Sequence, residues 1–243
     1  MLPRRPDRDR PGSALRHHCG MSRPDARLLP AAWRWVVAPV EAALGVVFVA
    51  LTAHVSATPR PGRTDVAIQQ RLPQGAEAEA LSRHAVALGS PYVTALIAGS
   101  LAVTFLVARR PRSAVACVLA PVMAGILTEA VLKPVTGAAH AYPSGHATGA
   151  ASAATLFVLA VGPSGTLGRH LPRALQLLVS GMAGLAVALT AVALVIRHMH
   201  VATDSVGGVL VGVIVTLAVV MVCEGRTRRI RIFRPTTTLT TSG

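Results

Sequence analysis

The sequence predicts an all-α membrane protein, a bundle of six transmembrane helices. Of its 243 residues, 52% are hydrophobic and only 14% are charged, and the mean hydropathy is +0.53. That balance belongs to a chain solvated largely by lipid. Aromatic residues make up 3%, so the apolar content is Ala, Val and Leu, which suits helices rather than an aromatic-girdled barrel. Six apolar runs, each at or near the ~20 residues of a bilayer crossing, lie at 35–53, 92–108, 114–132, 147–161, 174–196 and 206–223. The fourth is the shortest and the richest in Ala and Ser, so it is expected at the centre of the bundle, where small residues allow close helix approach.

The domain organisation follows from these runs. Residues 1–32 are rich in Arg and Pro and read as a disordered basic cytoplasmic tail. Met21 is an alternative start. Residues 33–224 form the six-span domain, and 225–243 form a second basic cytoplasmic tail. The formal net charge of +14 does not indicate a nucleic-acid partner, because the arginines gather at the termini and in short connections. Arg16, Arg23, Arg27 and Arg34 precede the first run, and Arg109, Arg110 and Arg112 follow the second. Arg169 and Arg173 follow the fourth, and Arg226, Arg228, Arg229, Arg231 and Arg234 follow the sixth. With six spans all of these fall on one side, the cytoplasmic side by the positive-inside rule. The long first connection balances Arg60, Arg63, Arg71 and Arg83 against Asp65, Glu77 and Glu79, as an outer loop does. Cys19, Cys117 and Cys223 show no C-x-x-C spacing, so neither a disulfide framework nor a zinc site is indicated.

The third and fifth connections share the outer face with the first. They hold Lys133, His140, Ser144, His146, Arg197, His198, His200 and Asp204. Ionisable groups at the mouth of a bundle are costly beside hydrocarbon and mark function. His200 and Asp204 are four apart and would share a helix face. A carboxylate on one imidazole nitrogen fixes the tautomer and makes the other a better base or nucleophile. Alone, the pair also reads as a capping Asp beside an interfacial His. In "KPVTGAAHAYPSGH", residues 133–146, Ser144 and Gly145 precede a helix start, where backbone N–H groups bind anions. Lys133 adds a fixed positive charge, and His146 is placed to protonate a leaving group. Glu129, four before Lys133, either holds the lysine or neutralises it. His198 lacks an acid four residues on and ranks below His200 as nucleophile.

These residues resemble the type 2 phosphatidic acid phosphatase (PAP2) family, which also includes the vanadium haloperoxidases. That family carries K-x6-R-P, P-S-G-H and S-R-x5-H-x3-D. Here the matching residues are Lys133, then Pro143-Ser144-Gly145-His146, then His200-x-x-x-Asp204. The resemblance covers about residues 114–223 and implies a PAP2-like six-helix bundle of the membrane branch. It implies that His200 forms a phosphohistidine, that Asp204 orients it, and that His146 is the general acid. It also implies that Lys133, Ser144 and Gly145 hold the phosphoryl oxygens and that neither a metal nor a cofactor is required. Two positions depart from the motifs. His140 and Ala141 stand where the family has Arg-Pro, and Leu194 stands where the third motif has Arg. Arg197, three before His200, is the expected substitute, and His140 would contribute charge only when protonated.

The function so implied is a metal-independent phosphatase in the cell membrane, with both termini cytoplasmic and the site extracytoplasmic. Its substrate would be a lipid phosphate: a polyprenyl phosphate or diphosphate, phosphatidic acid or phosphatidylglycerol phosphate. A bilayer-level mouth favours a substrate whose tail lies among membrane lipids. The alternative is a catalytically degenerate PAP2-like protein that binds lipid phosphate without hydrolysing it.

Overall fold

The computed structural model describes residues 28–29, 33–58, 60–137, 142–163 and 165–225. Among the described residues the regular structure is entirely helical. The order is α1 (Arg34–Ala57), α2 (Arg63–Arg71), α3 (Ala76–Leu88), α4 (Pro91–Val107), α5 (Pro111–Ile126), a π-helical stretch (Leu127–Leu132), α6 (Lys133–Thr136), α7 (Gly145–Val161), a short 3₁₀ turn (Gly168–His170), α8 (Arg173–Ile196) and α9 (Ala202–Gly225). The starts obey local chemistry. Ser90 caps α4, its hydroxyl accepting from the Val93 N–H at 3.4 Å, with Pro91 at the first helical position. Pro111 opens α5 in the same way after Arg109 turns the chain at φ 57°.

Five helical runs are long and apolar enough to cross a membrane: Arg34–Ala57, Ala76–Val107, Pro111–Thr136, Arg173–Ile196 and Ala202–Gly225. The fourth apolar run of the sequence is α7, whose 17 residues span ~26 Å, short of the ~30 Å hydrocarbon core. The first connection is not an open loop. Helices α2 and α3 fill it, and α3 runs into α4 through a break at Gly89-Ser90.

Helix α7 packs against α4, α5, α8 and α9. Its buried residues are mostly small: Ala147, Ala150, Ala151, Ser152, Ala153 and Ala160, with Leu156 and Leu159. Helix α9 offers Gly208 and Gly212, one turn apart. A Cβ on Gly208 would clash with the Ser144 carbonyl, and one on Gly212 would lie 2.5 Å from the Thr148 carbonyl. The Ser152 and Thr216 hydroxyls hydrogen-bond across the same seam at 2.8 Å. Many large apolar side chains point outward instead, among them Val46, Leu96, Leu106, Val115, Leu178, Met182 and Val222. Lipid, not water, is the solvent that accommodates such a surface.

One end of the bundle gathers arginines around a buried acid. Glu224 is 3% exposed and accepts from the N–H groups of Leu28 (2.9 Å) and Leu29 (3.1 Å) and from the Ser113 hydroxyl (2.7 Å). Arg169 and Glu224 both act on the charge of Arg110. Leu28 and Leu29, expected in the disordered tail, are thus part of the folded unit, because their N–H groups satisfy a carboxylate that burial would otherwise leave bare. The remainder of both tails, and His140, lie outside the described residues.

The α7–α9 seam makes a stability prediction. Gly212→Leu forces a side chain against the Thr148 carbonyl and Ala151, and should destabilise the protein by about 2 kcal/mol or more. Thermal unfolding in detergent measures this. A wild-type melting temperature would show that the seam is looser than described.

Candidate functional site

The site is assembled at the end of the bundle opposite Glu224. Asp204 and Glu224 lie 20 residues apart on α9, roughly 30 Å along the axis. Ser144 caps α7. Its hydroxyl accepts from the Ala147 N–H at 3.4 Å, and the side chain is fully buried. The Ser144 N–H donates to the Asp204 carbonyl at 3.0 Å, which ties the start of α7 directly to the start of α9. Gly207 admits the ring of Tyr142, which is fully buried, stacks on Phe48 and shares a 2.9 Å hydrogen bond with the Thr52 hydroxyl. Burial pushes the Tyr142 phenol above its ordinary pKa. The Thr52 hydrogen bond opposes that rise, and nearby Asp204 adds to it.

His200 and Asp204 are joined, though not as helix neighbours. Helix α8 ends at Ile196, Arg197 caps it, and His198 turns the chain at φ 53°. His200 therefore precedes α9. Asp204 is the third residue of that helix, and its carboxylate folds back over the helix start. It accepts from the Val201 N–H at 3.4 Å and meets His200 Nδ1 at 3.4 Å. This is the acidic half of a capping box with a histidine added. The two side chains are 9% and 8% exposed. Among the described residues His200 Nε2 makes no hydrogen bond.

His146, at the second position of α7, is close enough to His200, Lys133 and Glu129 for each to act on its charge. Lys133 pairs with Glu129 at 2.6 and 2.7 Å. A Cβ at Gly145 would meet the Glu129 carboxylate, the free end of an exposed and flexible side chain. The structure thus brings together Lys133, Ser144, Gly145, His146, His200 and Asp204. Arg197 does not share a helix face with His200, as a continuous helix would have had it. It lies at the end of α8, in the turn leading to His200. Its Nη1 is buried with no hydrogen-bond partner among the described residues. Leu194 is fully buried and supplies only its carbonyl, which accepts from the N–H groups of Met199 (3.1 Å) and His200 (3.3 Å).

Several contributors were not identified from the sequence. Asp65, on α2, is buried. It accepts from the Thr203 N–H (2.9 Å) and hydroxyl (2.7 Å) and from the Gly62 N–H (3.3 Å), which anchors α2 to the start of α9. Gln69 and Gln74 engage the two ring nitrogens of His198, which gives His198 a structural task. The acidity of Asp65 and its place in an outer loop were visible, but a partner 138 positions away was not. Below the site, α4, α7 and α8 flank an apolar groove of about 670 Å³ that opens onto the outward, apolar surface of the bundle. It is lined near the Gly89 break by Leu88, Val93 and Ala150, and farther down by Thr104, Phe157 and Met182. Ala150 is one helical turn below His146. Among the described residues, no group of three or more His, Cys, Asp or Glu is arranged to hold a metal ion.

No protein-family model matches the chain, and no curated protein matches it. In structure it is similar to a transmembrane PAP2-type phosphatidylglycerolphosphate phosphatase from Bacillus subtilis. The TM-score is 0.62 and the identity 22%, over 78% of this chain and 98% of that one. That likeness shows that the two chains share a helical transmembrane fold.

The Asp65 anchor is testable. Asp65→Ala leaves the Thr203 N–H without its buried partner, a loss of about 1–3 kcal/mol. The expected result is a lower melting temperature together with faster tryptic cleavage at Arg63 and Arg71. Unchanged proteolysis would show that α2 is held by other contacts.

Proposed function

We propose that this chain is an integral membrane phosphatase that removes a phosphoryl group from a lipid phosphate through a phosphohistidine at His200. The observation that carries the reading is the convergence at one mouth of His200 with its buried Asp204, His146, Lys133 and the capped start of α7. The Asp204 contact holds the proton on His200 Nδ1 and leaves the Nε2 lone pair to attack phosphorus. The bond from phosphorus to the leaving oxygen breaks, and protonated His146 gives that oxygen its proton. Water then attacks the phosphohistidine, His146 takes a proton from it, and inorganic phosphate leaves. Lys133, the Ser144 hydroxyl, the N–H groups at Gly145 and the partnerless Nη1 of Arg197 supply charge and donors to the phosphoryl oxygens. His140 would join them when protonated.

The open apolar groove one turn below His146 supports a substrate with a hydrocarbon tail. Polyprenyl phosphate or diphosphate, phosphatidic acid and phosphatidylglycerol phosphate all meet that requirement. The reading takes α7 as the sixth crossing, sheathed by its neighbours so that its short length need not match the bilayer. It places the gathered arginines in the cytoplasm and the site outside. The observation that favours the second reading, a non-catalytic lipid-phosphate binder, is the buried Leu194 at a motif arginine position.

Purified wild type, assayed against that lipid panel, should release phosphate and be inhibited by orthovanadate. His200→Ala should lose at least about a thousandfold in turnover. Asp204→Asn should lose less, and Arg197→Ala should lose on the order of a hundredfold. A fully active His200→Ala would overturn the mechanism, and a wild type that binds without hydrolysing would establish the binder instead. For sidedness, Glu77→Cys in the exposed first turn of α3 should react with an impermeant thiol reagent in intact cells. Labelling only after lysis would reverse the orientation.

A further inference from the structure

A carboxylate stands where the proposed chemistry needs a phosphoryl group. Glu129 lies in the π-helical stretch, four residues before Lys133, and both of its oxygens engage the Lys133 ammonium, at 2.7 and 2.6 Å. The same carboxylate occupies the space beside Gly145 that a Cβ would fill, at the first residue of α7. It also acts on the charge of His146. One side chain thus meets three of the groups assigned to the substrate. The pair is not locked by packing, since the Lys133 and Glu129 side chains are 32% and 56% exposed. We infer that Glu129 is an internal competitor for the phosphoryl pocket, displaced when the substrate's phosphate binds and returning to Lys133 as inorganic phosphate leaves.

The inference rests on the phosphatase reading above. A carboxylate and a phosphoryl group carry the same sign and seek the same donors, so Lys133 cannot serve both fully. Inorganic phosphate, the product, therefore meets a rival that the chain itself supplies. The opposite role is a clamp that holds Lys133 ready for phosphate. The two roles predict opposite signs when the charge is removed.

The test uses the full chain in detergent, with Glu129→Gln and Glu129→Ala beside wild type. The measured quantities are the inhibition constants of inorganic phosphate and orthovanadate, and KM for a lipid phosphomonoester that wild type hydrolyses. The competitor role predicts that both inhibition constants fall by at least about threefold, allowing for solvent screening of an exposed pair, and that KM falls with them. Glu129→Asp, which keeps the charge, should stay nearer to wild type. Unchanged or higher inhibition constants in Glu129→Gln overturn the inference, as does failure of both neutral variants to fold. If wild type hydrolyses nothing, the phosphatase reading fails separately. Calorimetric binding of orthovanadate then decides the competitor role: tighter binding by Glu129→Gln upholds it, and equal or weaker binding ends it.

Discussion

Helices α7 and α9 meet backbone to backbone at Gly208 and Gly212, and the site depends on that contact. Lipid tails are as apolar as the helices, so the hydrophobic effect does little to press helices together, and close van der Waals packing does more. The facing surface of α7 is alanine and serine, so the approach is close enough to bring the Ser144 N–H to the Asp204 carbonyl. Once that register is set, Tyr142 fits over Gly207, and His146 is brought into electrostatic range of His200. A single added side chain in the seam would separate the two helix starts that carry the proposed chemistry.

Two buried acids show how polar groups are used at the two ends. Glu224 receives three donors from two separate segments, the Leu28 and Leu29 backbone and the Ser113 hydroxyl, and is satisfied within the fold. It fastens the chain before α1 to α5 and α9. Asp204 has fewer donors, at 3.4 Å each, and one of them is the His200 ring. In the turn that leads to His200, a guanidinium nitrogen of Arg197 is buried without a partner among the described residues. A fully bonded acid stabilises a fold, whereas an acid shared with an imidazole suits a site that completes its bonding with a ligand.

The segment that holds α2 and α3 contributes more than a connection. Asp65 on α2 reaches the Thr203 N–H, so the start of α9 is held by a residue from a different loop as well as by Asp204. Gln69 and Gln74 hold the two ring nitrogens of His198 in the adjoining turn. Together they stiffen the short stretch from Arg197 to Val201, which would otherwise carry the proposed nucleophile on a free turn.

Much of this molecule was readable in its amino-acid order. Apolar runs of bilayer length, separated by arginine-rich connections, specified a helical membrane chain, because a spanning backbone must satisfy its own hydrogen bonds. The short spacings also carried over: Ser144 caps the helix it precedes, Lys133 pairs with an acid four residues away, and Asp204 bonds His200. Each depends on a local rule of helix geometry. Even so, the His200–Asp204 contact forms across a helix start and not along a helix face, because a left-handed residue at His198 ends α8 early. The tertiary structure decided the rest. Asp65 finds Thr203, Glu129 lies against Gly145, and Leu28 and Leu29 bond Glu224, through contacts between residues far apart in the chain. Local periodicity fixes which residues share a helix, but only the packing of helices, set here by glycines and alanines with no polar signature, decides which helix starts meet.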